Sequence, residues 1–298
     1  MTGPRLRAVL VEAFAAQPCQ GNGAAVVLLE QPMPDPWLQA LATSFRQSET
    51  AFLLPQQSGG WALRWFTPSC EVPLCGHATL AATLALGHWE LLAPGMSVSL
   101  ASRSGPLAVS LLADPSGTAS LVLPGGGLES APCPEYLPAL IGCQPLQFWG
   151  SALGYRVALL DEAVDLEALA FDPGALQAQE RPGLVLMQAF SGDSADRPRV
   201  LGQSADYQLR FFAPGLGIPE DPVTGSAHAL VAPWWLTTLD RSQVVGWQPS
   251  ARRGGMLCES PAADLVRLTG SGHLLWDGLI NAGGMPLAGG DWSVCKGC

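Results

Sequence analysis

Positive charge is scarce in this 298-residue chain. Lys and Arg together number 15 against 25 Asp and Glu, for a formal net charge of -10 and a pI near 4.7. Such a balance opposes general attraction to phosphate backbones or anionic lipid. The densest basic pair, Arg252 and Arg253, does not amount to a nucleic-acid patch. Long apolar runs are missing as well: no span approaches 18 uninterrupted apolar residues, so no membrane partner is expected. The N-terminal stretch alternates apolar and polar residues into Glu12 and lacks the apolar run of a signal peptide, which predicts a soluble, cytoplasmic protein. Gly21-x-Gly23 has neither the third glycine nor the downstream acid of a nucleotide fingerprint. Ser226-Ala-His228 is not the elbow of a serine hydrolase.

Cysteine is present, with eight residues, but in a chain of this length without an export signal reduced thiols are expected. Cys295-x-x-Cys298 has no second pair and no nearby histidine, so no metal is expected there and the pair reads as a frayed tail. Apolar material is ample: 48% of residues are hydrophobic and 13% charged, enough for one large domain or two ordinary ones.

The chain repeats itself. Arg64-Trp-Phe-Thr-Pro68 precedes Glu71-Val-Pro-Leu-Cys-Gly-His-Ala78, and Arg210-Phe-Phe-Ala-Pro214 precedes Glu220-Asp-Pro-Val-Thr-Gly-Ser-Ala227. Both read Arg-aromatic-Phe-x-Pro, a loop, then Glu-x-Pro-x-x-Gly-x-Ala, and both run on into an apolar stretch. Weaker echoes pair Gly23–Glu30 with Gly154–Asp161 and Leu38-Gln-Ala-Leu-Ala with Leu166-Glu-Ala-Leu-Ala. A spacing near half the chain points to a duplicated domain and not to a short solenoid repeat. The Gly-rich stretch after Pro124 suits a linker, dividing the chain into 1–126 and 127–298, with the last residues able to return to the first domain.

Apolar, β-branched runs predict strands at 7–14, 24–29, 50–54, 62–66, 157–160, 185–187 and 208–212. Helices are predicted at 36–44, 78–86, 165–170 and 227–236, with Pro233 expected to kink or end the last. The uncharged 78–86 segment reads as a helix buried on most faces. An α+β protein of two pseudo-symmetric domains follows.

Gly76-His77 and Gly225-Ser226 each open a predicted apolar helix, where free N–H groups and the helix dipole favour an anion. If the two loops faced one another, they would hold one small carboxylate and stabilise the enolate-like charge formed when a neighbouring carbon loses a proton. Glu49 and Asp221 are acids in apolar stretches and are candidate proton-transfer groups. Read alone, Glu49 also fits a strand edge and Asp221 a turn. His77 equally fits a helix cap or a satisfied core position, and Ser226 an N-cap.

These stretches resemble the phenazine-biosynthesis isomerase (PhzF-like) family, which shares the diaminopimelate epimerase-like fold. The resemblance rests on Val11-Glu-Ala-Phe14, Gly21-Asn22, Gln47-Ser-Glu-Thr-Ala-Phe-Leu53, Glu71-Val-x-Leu-Cys-Gly-His-Ala-Thr-Leu80 and Glu220-Asp-Pro-Val-Thr-Gly-Ser-Ala-His228. It implies two domains, each a barrel-like sheet wrapped around a central helix, and a homodimer. It further implies isomerisation or epimerisation of a small carboxylate substrate without a cofactor. By position it makes Glu49 the catalytic carboxylate, His77, Asp221 and Ser226 its partners, and Gly76 and Gly225 the carboxylate-binding glycines. Cys75 stands where related epimerases carry a catalytic thiol, but its repeat mate is Thr224. A symmetric two-thiol mechanism is therefore not expected, and Cys75 is kept as an auxiliary acid/base.

Overall fold

A computed structural model describes residues 5–57, 59–114, 117–176, 183–281, 283 and 292. The chain divides into two compact units, Met1–Val122 with Thr269–Cys298 and Leu123–Leu268. The first strands are β1 (Arg5–Ala13), β2 (Asn22–Leu28), β3 (Glu49–Pro55), β4 (Trp61–Phe66), β5 (Glu71–Val72), β6 (Ser97–Ser102), β7 (Gly105–Leu111) and β8 (Thr118–Pro124). They carry α1 (Asp35–Phe45) and α2 (Gly76–His88) between them. Then come β9 (Leu128–Ser130), α3 (Tyr136–Ile141), β10 (Gln147–Ser151), β11 (Tyr155–Leu159) and β12 (Gly183–Ala189). A small ribbon of β13 (Arg199–Val200) and β14 (Gln203–Ser204) follows, then β15 (Tyr207–Ala213), β16 (Ile218–Asp221), α4 (Gly225–Thr238), β17 (Gln243–Gln248) and β18 (Gly254–Ala262). The long β19 (Leu265–Asn281) returns to the first unit.

In unit 1 the strands close into an eight-stranded barrel in the order β19-β1-β2-β3-β4-β6-β7-β8, with β8 pairing back onto β19. The β2–β3 and β4–β6 pairs are parallel, and β19–β1, β1–β2, β3–β4, β6–β7 and β7–β8 are antiparallel. Strand β2 is buried at all but its last residue, as expected where a sheet is covered on both faces. One covering is α2, which packs on β1, β2, β3 and β7. Residues 76–83 of α2 are buried without a break, and the absence of Asp, Glu, Lys and Arg from the helix is the reason it can lie there. The other covering is a cluster of Trp37, Leu38, Phe52 and Phe66 under α1.

Unit 2 repeats the pairing. Strand β10 is antiparallel to β11, β11 parallel to β12, β12 antiparallel to β15, β15 parallel to β17 and β17 antiparallel to β18. Its buried helix α4 packs on β15, β17 and β18. Each unit also pins the loop before its helix with the same clamp. Arg64 Nε and Nη2 donate to Glu71 at 2.7 Å, and Arg210 Nε and Nη2 donate to Glu220 at 2.7 and 2.8 Å. Each guanidinium also lies on the second aromatic residue of its motif, 5.1 Å above Phe66 and 5.0 Å above Phe212. The repeated Arg, Phe and Glu are thus structural, and the pairing is bidentate in both units although Glu follows Arg by 7 residues in one and by 10 in the other.

Two expectations are corrected. Residues 165–170 form turns and not a helix. The Ala168 N–H donates to Asp165 Oδ1 at 3.0 Å, and the Leu166 and Leu169 carbonyls accept from Arg210 Nη1, so the groups a helix needs are bonded elsewhere. Pro233 does not end α4, which runs on to Thr238. The lost bond falls late in the helix, and Thr237 Oγ1 donates back to the Pro233 carbonyl at 3.0 Å. The Cys295-x-x-Cys298 pair lies outside the described residues. Among the described residues no helix is long and apolar enough to cross a membrane.

Candidate active site

In unit 1, three elements bring Glu49, Cys75 and His77 together. Glu49 is the first residue of β3 and sits opposite Ala24 of β2. Cys75 precedes α2 in extended conformation, with φ -147° and ψ 114°, and His77 is the second residue of the helix. Glu49, Cys75 and His77 are all buried. His77 Nε2 lies 3.0 Å from Glu49 Oε2. The contact is close enough for an ion pair but lacks hydrogen-bond alignment, so Oε2 is a buried carboxylate oxygen with no hydrogen-bond partner. Cys75 Sγ is 3.5 Å from His77 Nδ1.

A short relay orients the ring. Ser48 Oγ donates to Asn22 Oδ1 at 2.9 Å, and Asn22 Nδ2 lies 3.2 Å from His77 Nδ1. In this sense the relay serves a neutral ring with its proton on Nε2, facing Glu49. Turning the amide over, with the Ser48 hydroxyl as acceptor, serves the imidazolium equally well. The turn that delivers Asn22 requires glycine. Gly21 has φ +71°, and a Cβ there would lie 2.4 Å from the Ala13 carbonyl oxygen. Buried Glu12 accepts a hydrogen bond from the Cys19 N–H and ties down the same loop.

Burial works against a charged His77, but the adjacent Cys75 and Glu49 work for it and prevail, holding the ring well above its ordinary value. Burial, reinforced by the Glu49 charge, pushes the Cys75 thiol up to about 11. Cys75 is therefore a thiol at neutral pH, suited to donate a proton and not to abstract one.

In unit 2, Asp221 ends β16 and is buried. Its Oδ2 accepts from Thr224 Oγ1 at 2.6 Å. Gln248 locks this loop from β17: its Oε1 accepts the Thr224 N–H at 2.9 Å and its Nε2 donates to the Asp221 carbonyl. Gly225 and Ser226 open α4, and Ser226 Oγ lies 3.2 Å from the Tyr155 hydroxyl. A second buried histidine, His228, receives no such help. It sits beside the Tyr207 hydroxyl at 2.9 Å, and burial drives it down to about 3, so it stays neutral.

Within unit 1 the structure groups the expected Glu49, Cys75, Gly76 and His77. Within unit 2 it groups Asp221, Gly225 and Ser226. Sequence reasoning passed over Asn22 and Ser48 as site residues although both stand inside quoted motifs; a polar side chain beside a glycine turn and another beside the key acid were the available signals. Tyr155 and Gln248 had no local signal, because their partners lie 71 and 24 residues away.

A barrel closed around a buried helix, with the same strand pairing and a second buried helix repeated in unit 2, defines the diaminopimelate epimerase-like fold. A hydroxyproline epimerase from Agrobacterium vitis, solved with trans-4-hydroxy-L-proline, shares the fold with a TM-score of 0.61 at 12% identity, over 95% of this chain and 96% of that one. Within this class, the model of the phenazine biosynthesis-like (PhzC-PhzF) family matches residues 11–278, and the chain belongs to that family. A Pseudomonas aeruginosa protein named as an uncharacterized isomerase is 34% identical over 277 residues, 91% of this chain and 96% of the relative. The crystal structure of a PhzF-family protein from Enterococcus faecalis superposes with a TM-score of 0.81 at 32% identity, covering 93% of this chain and 99% of that one.

Proposed function

We propose that this protein is an isomerase that moves a proton between carbons of a small carboxylate substrate, using its own side chains as acid and base. One observation carries the reading: a buried carboxylate oxygen, Glu49 Oε2, without a hydrogen-bond partner and beside a histidine biased toward its charged form. A base must keep a lone pair for substrate, and the missing hydrogen bond leaves one on Oε2.

The substrate carboxylate is taken by the first-turn N–H groups of α2 at Gly76 and His77, which have no intrahelical acceptor. Glu49 removes a proton from carbon, and negative charge passes from Glu49 to the enolate-like substrate. The His77 charge faces both, so little reorganisation accompanies the transfer. The protonated Glu49 then returns the proton to another carbon. Asp221, held by Thr224, binds an amine or hydroxyl or completes the proton path. Gly225 and Ser226 are proposed as further substrate donors, and Cys75 as an auxiliary proton donor.

The test begins with a thermal-shift screen of small carboxylates, followed by product analysis in D2O. Glu49→Gln should abolish deuterium incorporation while substrate binding persists; undiminished incorporation removes Glu49 from the chemistry. The resemblance of the fold to that of a hydroxyproline epimerase keeps a second reading, inversion at one stereocentre. Deuterium at the original carbon supports inversion, and deuterium at a new carbon supports isomerisation. Stabilisation without any turnover would mark a ligand-binding relative.

A further inference from the structure

We propose that Glu49, Cys75 and His77 also form a binding site for one zinc-like divalent cation, and that its occupation switches the proposed proton transfer off. The inference deepens the reading above, since the same three side chains are involved, and concerns an inhibitory ion and not a resident cofactor.

The donor set is the first ground. One ligand atom from each residue lies within 4.8 Å of the others, and all three residues are buried. Thiolate, imidazole and carboxylate are the ordinary zinc ligands, and three of them with a fourth position open is the usual arrangement of a reactive zinc site. Spacing is the second. Zinc–ligand bonds of about 2.3 Å to sulfur and about 2.0–2.2 Å to nitrogen and oxygen imply tetrahedral edges of roughly 3.5 Å for S···N and roughly 3.4 Å for N···O. Cys75 Sγ is 3.9 Å from His77 Nε2, and His77 Nε2 is 3.0 Å from Glu49 Oε2. Both distances lie within about half an ångström of the tetrahedral edges.

The remaining grounds are charge and support. When the cation enters, the sulfur and the ring give up to solvent the protons they carry at the metal-binding atoms, and carboxylate, thiolate, neutral ring and dication sum to zero. Burial, which penalises net charge, therefore does not oppose occupation. A ring bound through Nε2 must carry its proton on Nδ1 and donate it. Asn22 accepts it once its amide is turned over, and the Ser48 hydroxyl then accepts from the amide nitrogen. Such an outer partner is what fixes the tautomer of a ligating histidine. The cation would also engage Glu49 Oε2, which has no hydrogen-bond partner otherwise.

The experiment uses the full chain carrying Cys295→Ser and Cys298→Ser, so that the terminal cysteine pair cannot bind the probe. Metal-free protein is titrated with Co2+ and followed by absorption, then with Zn2+ in competition. The expected result is one Co2+ per chain, a near-ultraviolet thiolate-to-cobalt band, strong visible bands of a four-coordinate ion, and displacement by Zn2+. Cys75→Ser should remove the thiolate band and weaken binding at least about tenfold. Glu49→Gln and His77→Asn should weaken it similarly but keep the thiolate band, and circular dichroism checks that each variant is folded. A thiolate band that survives in folded Cys75→Ser, or an affinity unchanged in all folded variants, overturns the site. Zn2+ at one equivalent should stop deuterium incorporation, and a chelator should restore it; activity persisting at full occupancy overturns the inhibition. The spectra need no turnover, so a failure of the acid/base reading in Glu49→Gln is told apart from a failure of metal binding.

Discussion

Opposite Ala24 in unit 1 stands Glu49, whereas opposite Tyr155, at the matching step of unit 2, stands Gly183. Opposite Trp65 stands Val72, whereas opposite Phe211 stands Asp221. Cys75 likewise matches Thr224, and His77 matches Ser226. The units therefore share the framework down to the Arg–Glu clamp, but their buried candidate carboxylates, Glu49 and Asp221, stand at positions that do not correspond. Duplication supplied two helix starts fit for an anion, and the chemistry around them diverged. Among the described residues Glu49 has a histidine beside it whereas Asp221 is held by Thr224, an inequality that favours the proposed reaction led by Glu49 over the matched bases of a symmetric racemase.

The largest expected effect tests that inequality directly. Glu49→Gln should lower deuterium exchange by about 10² to 10⁴-fold, the usual scale of general acid–base catalysis. Asp221→Asn, which keeps an acceptor for Thr224, should cost less. An equal loss from both would break the comparison and point to matched bases.

Next is the clamp. Arg64 is fully buried and also reaches Asp35 at 2.8 Å, while the Arg210 side chain keeps 12% of its exposure. Arg64→Ala removes the bonds to Glu71 and Asp35, leaving Glu71 to Arg103 at 2.6 Å, and should cost about 3 kcal/mol by denaturant unfolding. Arg210→Ala should cost about 1.5–3 kcal/mol, the range for hydrogen bonds to a charged group.

A smaller effect is expected at Gly183. A Cβ there would lie 2.7 Å from the Phe211 ring and 3.0 Å from the Phe212 carbonyl oxygen. Gly183→Ala should therefore destabilise by about 1–3 kcal/mol, as overpacking does. A neutral result would show that the site could have housed a second acid.

The gentlest test is the pH dependence of stability, where the two buried histidines should act with opposite sign. His77 binds its proton more tightly folded than unfolded, so its contribution is complete below about pH 6.5 and is lost as pH rises through its raised folded value. His228, lowered to about 3, contributes above about pH 6.5 and loses that contribution as pH falls toward 3. Chemical denaturation across pH should show His77→Asn flattening the alkaline slope and His228→Asn the acid one.

Much of this was legible in the chain. The repeated Arg-aromatic-Phe-x-Pro and Glu-x-Pro-x-x-Gly-x-Ala motifs disclosed the duplication; Arg and Glu lie 7 residues apart in one copy and 10 in the other, yet both form the same bidentate pair. The uncharged runs after Gly76 and Gly225 disclosed buried helices, since a charge there would be buried unpaired. The 165–170 segment misled because its helical composition is local, while Arg210, which takes its carbonyls, lies about forty residues on.

By itself, then, the sequence determined the doubling, the two buried helices and the motifs bearing Glu49, His77 and Asp221, all of which follow from periodicity and spacing within short stretches. Only the tertiary structure decided which groups meet. It set Asn22 against a histidine 55 residues away, gave Tyr155 and Gln248 their roles, and left one buried histidine inclined to charge and the other neutral. A buried group takes its hydrogen bonds and its ionisation from whatever surrounds it in space, and strand pairing draws those neighbours from distant parts of the chain.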